Sequence, residues 1–146
     1  MRSTGSKAAS SKAASVEFVN RLRQAGLRPT RQRVALGQLL FNGDRHVTAE
    51  ALHLEAAKAG AELSLATVYN TLHQFTAAGL LRQVIVDGEK TYFDTNVGEH
   101  HHFYAKEREM LIDIPGDAVA IDGLPKAPAG MEIERVEVVV RLKPRA

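Results

Sequence analysis

The run Gly98-Glu99-His100-His101-His102 concentrates the side chains best able to do chemistry in this chain. On an extended backbone alternate side chains share a face, so His100 and His102 point one way and His101 the other. Two imidazoles on one strand, completed by carboxylates, make a borderline site suited to divalent Fe, Mn or Zn. Asp94, just before the cluster, and Asp113, on a neighbouring candidate strand, are the carboxylates best placed to join. His46, in the loop before a helical run, is a third imidazole able to reach them. Glu99, His100, His101 and His102 form a second grouping, fit for a haem or a second metal. The bland alternative is a solvated strand; adjacent histidines flanked by acids weigh against it. His53 and His73 stand alone in helical runs and receive no role.

The chain has no cysteine. That excludes disulfides, iron–sulfur ligation, thiolate catalysis and any cysteine-ligated structural zinc. No general base stands convincingly beside an open metal position, so the expectation is a protein that is not an enzyme. A metalloenzyme using the His/Asp cluster, and a metal- or haem-buffering protein, are the competing readings.

The elements that must position these residues are legible from caps and periodicity. Val16–Ala25 carries Phe18, Val19 and Leu22 at helical spacing, and Gly26 stands where a helix ends. Thr30 caps a second helix running to about Phe41. Thr48 caps a third, Ala49–Ala59, closed by Gly60. Ser64 caps a fourth, in which Val68, Leu72 and Phe75 form a buried stripe and which Gly79 ends. Two β-type runs then flank Asp87-Gly88, a hairpin signal. Short capped helices followed by a hairpin outline a winged helix-turn-helix. Further on, His102–Ala105 and Met110–Ile114 read as strands. Val136, Val138, Val140 and Leu142 alternate with mostly polar neighbours as a half-buried third. The intervening Pro/Gly-rich stretch has room for at most a short helix near Asp117–Ile121.

Charge places the ligand of the first half. Up to Gly37 there are eight basic residues and one acid, Glu17, although the whole chain of 146 residues carries only +2. A basic front of this kind meets a polyanion. In a helix-turn-helix the second helix lies in the major groove. Here that helix offers Thr67, Tyr69, Asn70, Thr71 and Gln74 on its sides or outside, with Ser64 and the helix N-terminus able to hold a phosphate. Arg31 and Arg33 are expected on phosphates, and Arg28 in a narrow minor groove.

The resulting expectation is α+β: an N-terminal winged helix-turn-helix followed by a small α/β dimerisation domain with a three-stranded antiparallel sheet. Its divisions are a flexible basic arm (1–15), a DNA-binding domain (16–95), a hinge (96–99) and a dimerisation and metal- or haem-sensing domain (100–146). The last is marginal as an isolated domain, which are rarely stable below roughly 40–50 residues, so a homodimer is expected. No apolar run spans a membrane and no secretory signal is read at the front, so a cytoplasmic protein is expected.

Leu27-Arg28-Pro29-Thr30-Arg31-Gln32-Arg33, His46-Val47-Thr48-Ala49-Glu50 and Leu65-Ala66-Thr67-Val68-Tyr69-Asn70-Thr71-Leu72, followed by His100–His102, resemble the ferric uptake regulator family over about residues 16–146. The triple histidine, the missing cysteines and the stretch Ala127–Ile133 look most like its iron response regulator branch. The resemblance implies a homodimeric transcriptional regulator, commonly a repressor, of iron homeostasis and haem biosynthesis genes. It implies a regulatory metal on His46, Asp94, His100, His102 and Asp113, and a partly palindromic, AT-rich operator as partner. It also implies a base contact for Tyr69. A manganese- or peroxide-responsive member of the family is the alternative. The family's cysteine pairs are missing: the first falls on Ala105 and Arg108. Glu99 and His101 depart from its second metal site. No Cys-Pro haem motif is present, so a haem would need imidazole ligation.

Overall fold

The structure, a computed structural model, describes residues 16–88 and 90–146. The expected basic arm, residues 1–15, lies outside the described residues. The chain divides into two compact units between Val97 and Gly98.

The first unit opens with helical residues 16–24 (α1), then α2 (Arg31–Leu40), β1 (His46–Val47), α3 (Ala49–Lys58), α4 (Leu65–Ala77), β2 (Arg82–Asp87) and β3 (Lys90–Asp94). The three expected caps are present. Thr30, Ser64 and Thr48 side chains accept the backbone N–H of Arg33, Thr67 and Ala51 respectively, each satisfying a donor the helix itself leaves unpaired. Gly60 and Gly79 follow α3 and α4 with φ of 85° and 80°, the left-handed conformation that glycine adopts without a Cβ penalty.

Val68, Leu72 and Phe75 of α4 are fully buried, against Leu36 and Leu40 of α2, Leu52 and Ala56 of α3, and Phe93 of β3. Each large side chain so buried contributes about 1.5–3 kcal/mol. Phe18, Phe41 and Phe75 meet with ring centroids 5.1–6.1 Å apart. β2 and β3 form the hairpin, and β1 pairs antiparallel with β3, giving the order β1-β3-β2. His46, expected in a loop, lies instead on the short β1. Two residues are too few for a periodic signal.

The second unit holds β4 (His100–Ala105), β5 (Met110–Pro115) and β6 (Val139–Leu142), in the order β5-β4-β6. β4 pairs antiparallel with β5 but parallel with β6. The expected all-antiparallel sheet is therefore mixed, because the long Pro/Gly-rich connection returns the chain in the same direction as β4. The half-buried strand read from Val136 onward is paired only over Val139–Leu142. Among the described residues of this unit there is no α-helix. Near Asp117 there is a single 3-10 turn, Gly116–Ala118. No helix among the described residues is long and apolar enough to cross a membrane.

Gly37, buried within α2, is where α1 packs: a Cβ built there overlaps the Phe18 ring. Glycine in a helix interior costs about 1 kcal/mol relative to alanine, a penalty accepted here for the aromatic contact. Gly37→Ala should therefore destabilise the protein by about 1–3 kcal/mol through overpacking, where an open helix site would gain stability. Urea unfolding monitored by circular dichroism measures it, and a higher midpoint would refute the packing argument.

Candidate metal centre and nucleic-acid interface

Each unit carries one group of histidine and aspartate side chains set by strand register. In the first unit His46 of β1 lies directly across from Asp94 of β3, and the His46 Nε2 to Asp94 Oδ2 distance is 3.3 Å. Asp94 is completely buried and His46 half-buried. The backbone N–H of Asn96 donates to Asp94 Oδ1 at 2.9 Å, which orients the carboxylate with Oδ2 toward the histidine. A hydrogen bond of this kind fixes a ligand's direction.

β1 is held by Arg45. Its guanidinium donates to both carboxylate oxygens of Glu55 on α3, at 3.1 and 2.6 Å, and to the carbonyl of Leu39 at 2.7 Å. Its backbone N–H donates to Thr95 Oγ1 at 2.9 Å. This planar, forked donor ties the end of α2, α3 and the strand carrying His46 together. Sequence reasoning missed Arg45 and Glu55. The only signal was an arginine beside a candidate ligand, which by itself reads as a solvated cation.

In the second unit His102 of β4 lies directly across from Asp113 of β5. His100 and His102 present Nε2 to Asp113 Oδ1 at 3.5 and 3.4 Å, with ring centroids 4.6 Å apart. The carbonyl of Gly98 sits 2.7 Å from His100 Nδ1. A carbonyl only accepts, so Nδ1 carries the proton and, in the neutral ring, Nε2 keeps its lone pair. His100 and His102 are 4% and 1% exposed. Gly116 supports their backbone from the side: a Cβ there would stand 2.8 Å from the carbonyl oxygen of Glu99.

His101 faces away, as alternation requires, and is also buried. The backbone N–H of Val138 donates to its Nδ1 at 3.1 Å, so the neutral ring carries its proton on Nε2. His102 N–H in turn donates to the Val138 carbonyl at 3.1 Å. His101 thus helps seat the chain entering β6. Glu99 is exposed just before β4.

The prospective DNA face lies on α4. Ser64 Oγ and Thr67 Oγ1 are 2.8 Å apart, and Asn70 is exposed. Thr71, read from the sequence as lateral or outward, is buried and its hydroxyl donates to the Thr67 carbonyl at 2.8 Å, so it lies off the reading face. Arg28 and Arg31 are exposed. Arg33, expected on a phosphate, uses three of the five guanidinium N–H donors within the fold. Nε and Nη2 donate to Gln74 Oε1 at 3.2 and 3.0 Å, and Nη1 to the Arg28 carbonyl at 2.7 Å. In this structure it clamps α2 and the Arg28 loop to α4. Tyr69 Oη donates to Glu50 Oε1 of α3 at 2.6 Å. That bond, then the backbone N–H of Glu50, holds the Glu50 carboxyl below its ordinary range; burial opposes the shift and the charge of Lys90 adds to it. The same bond, then burial and the negative charge of Glu50, raises the Tyr69 phenol. His53 Nε2 donates to the Leu63 carbonyl at 2.8 Å, a structural role within the helix-turn-helix.

Residues 24–140 match the ferric uptake regulator family. The chain is 30% identical over 97 residues to the peroxide-responsive repressor PerR of Staphylococcus aureus, a match covering 66% of each chain. Among solved structures, the manganese-containing ferric uptake regulator of Pseudomonas aeruginosa superposes with a TM-score of 0.64 at 27% identity, over 87% of this chain and 97% of that one. The Vibrio cholerae ferric uptake regulator shares the fold, with a TM-score of 0.67 at 22% identity over 87% and 99% of the two chains. None of these three is an iron response regulator, so these likenesses support the family and not that branch.

The Arg45 anchor generates a test. Arg45→Met keeps the aliphatic stem and removes the fork, so His46 loses its fixed strand. Mn2+ affinity measured by titration calorimetry should fall about 10- to 100-fold, the effect typical of losing an outer-shell contact. Unchanged affinity in a folded variant would show that the anchor is irrelevant to the ligands.

Proposed function

This chain belongs to the ferric uptake regulator family, and we propose that it is a metal-responsive, DNA-binding transcriptional regulator acting as a homodimer. The observation that carries the reading is the pair of His–Asp groups, one in each unit, built on cross-strand registers and oriented by backbone partners. Under this reading one divalent ion takes a ligand atom from each of His46, Asp94, His100, His102 and Asp113. Three imidazoles and two carboxylates suit Fe, Mn or Zn. The chain offers no thiolate for a cysteine-ligated zinc.

An ion shared by both units would favour the arrangement in which they present their ligands together. It would thereby set the spacing of the two α4 helices of a dimer on DNA. The dimer itself is supported by the second unit's sheet, where Met110, Ile112, Val140 and Leu142 are 46%, 43%, 37% and 42% exposed. By register Ile112 and Val140 flank Phe103, and Met110 and Leu142 flank Ala105, so the four lie on one apolar face that a second copy would cover. Arg28, Arg31, Ser64, Thr67, Tyr69 and Asn70, with the two remaining N–H donors of Arg33, form the proposed DNA face, directed at an AT-rich, partly palindromic operator.

Iron is the proposed stimulus, with regulation of iron homeostasis and haem biosynthesis genes as the output. A peroxide or manganese stimulus is the second reading, favoured by the 30% identity to a peroxide-responsive repressor. The haem grouping of Glu99, His100, His101 and His102 finds less support. All three rings are buried, and the neutral His101 ring already has Nδ1 engaged by Val138.

Binding to an operator selected from random duplexes tests the proposal. Anisotropy with full-length protein should show Mn2+- or Fe2+-stimulated affinity that falls steeply with salt. His102→Ala should lose at least about tenfold of the metal stimulation, the scale of removing one ligand or its support. Retention of full metal stimulation by His102→Ala would place the regulatory ion elsewhere.

A further inference from the structure

The hydrogen bond between Tyr69 and Glu50 links the prospective reading helix to the helix before it, and it has a direction. Tyr69 owns one hydroxyl proton. The Glu50 carboxylate, at the positively polarised start of α3, can only accept, so the proton points from Oη to Oε1 across 2.6 Å. What remains of the hydroxyl toward solvent is its lone pairs. Tyr69 is half-buried and Glu50 exposed, both next to the polar face of α4.

We propose that Glu50 is a specificity-determining residue: by holding the Tyr69 proton it makes Tyr69 an obligate hydrogen-bond acceptor toward DNA. The proposal rests on the DNA-binding reading above and deepens it. In the major groove the base-edge donors are the amino groups of adenine N6 and cytosine N4. An acceptor-only tyrosine takes a bond from either. It rejects guanine O6 and N7, thymine O4 and the phosphates, all of which need a donor. A tyrosine without Glu50 could turn its proton outward and satisfy both classes. Glu50 adds a second penalty for phosphate, since a carboxylate near the backbone repels it. A carboxylate is ionised at neutral pH in any case, and the Tyr69 bond itself holds Glu50 further below its ordinary range, so this polarity is in force there.

The test uses the full-length, Mn2+-loaded protein and an operator selected from random duplexes. Each adenine of a half-site is replaced in turn by 2-aminopurine, which moves the amino group out of the major groove, and each cytosine by 2-pyrimidinone, which lacks it. For wild type, one position should lose about tenfold in affinity, the scale of one lost base contact. Tyr69→Phe should bind the parent operator more weakly and be indifferent at that position. Glu50→Ala should bind the parent operator at least as tightly as wild type while the penalty shrinks to within about twofold, and guanine or thymine there should become tolerated. Glu50→Gln should relax the choice likewise, because an amide can donate as well as accept. As a readout independent of DNA, ultraviolet titration should show the Tyr69 phenol ionising at lower pH in Glu50→Ala than in wild type. Wild type indifferent to every amino group, or Glu50→Ala with an unchanged profile, overturns the inference while leaving DNA binding intact. Failure of wild type to select any salt-sensitive operator overturns the DNA-binding reading and this inference with it.

Discussion

Two antiparallel registers place a histidine directly opposite an aspartate: His46 against Asp94 in β1–β3, and His102 against Asp113 in β4–β5. Side chains directly opposite across antiparallel strands start about 4.5–5.5 Å apart at Cβ, a span that an imidazole and a carboxylate close without strain. Because strand side chains alternate, a slip of one residue would turn the histidine to the other face and abolish the pair. Everything else in the chemistry of this chain depends on those two registers being held.

They are held by different means. β1 is only two residues long and could not fix its own alignment. Its register is maintained from the side, by the Arg45 guanidinium on Glu55 and Leu39, and by the backbone of Arg45 on Thr95. Glu55 and Leu39 belong to helices seated on the Phe75 and Leu72 core, and Thr95 directly follows β3. β4–β5 is instead a six-residue ladder that aligns itself. There the problem is the packing of three histidines in succession. Alternation puts two toward Asp113, and the third, on the opposite face, accepts the Val138 N–H. Gly116 lets the start of β4 approach without a Cβ in the way.

Capped helices, the buried stripe of α4 and the Asp-Gly hairpin were legible in the sequence because each is a local signal. The helix starts depend on single hydroxyls three residues from the N–H they accept, the stripe on periodicity, the turn on two residues. The residues of both His–Asp groups were legible by type: histidines at i and i+2 with acids nearby. What could not be read was pairing. The parallel placement of β6 is decided by a long Pro/Gly-rich connection with no periodic content. The roles of Arg45 and Arg33 are decided by partners 10 and 41 residues away. Thr71 looked available by helical phase, yet its hydroxyl is satisfied by the carbonyl one turn earlier.

The same physics governs the His–Asp groups of both units and the polar face of α4. A side chain acquires a definite chemical role only when its other hydrogen-bonding capacity is taken up. His100 is a credible ligand because Gly98 fixes its proton on Nδ1, and Asp94 because Asn96 fixes one of its oxygens. On α4, Gln74 Oε1 already accepts from Arg33, which leaves its amide N–H groups as the donors to be offered outward. Tyr69 is fixed in the opposite sense by Glu50. A recognition surface assembled this way presents a preset pattern of donors and acceptors, in which α2 and α3 do not need to touch the groove to influence what α4 can read. A proton fixed before the encounter also spares the complex part of the ordering cost of binding, which is why a buried or bidentate partner behind a reading residue matters as much as the residue itself.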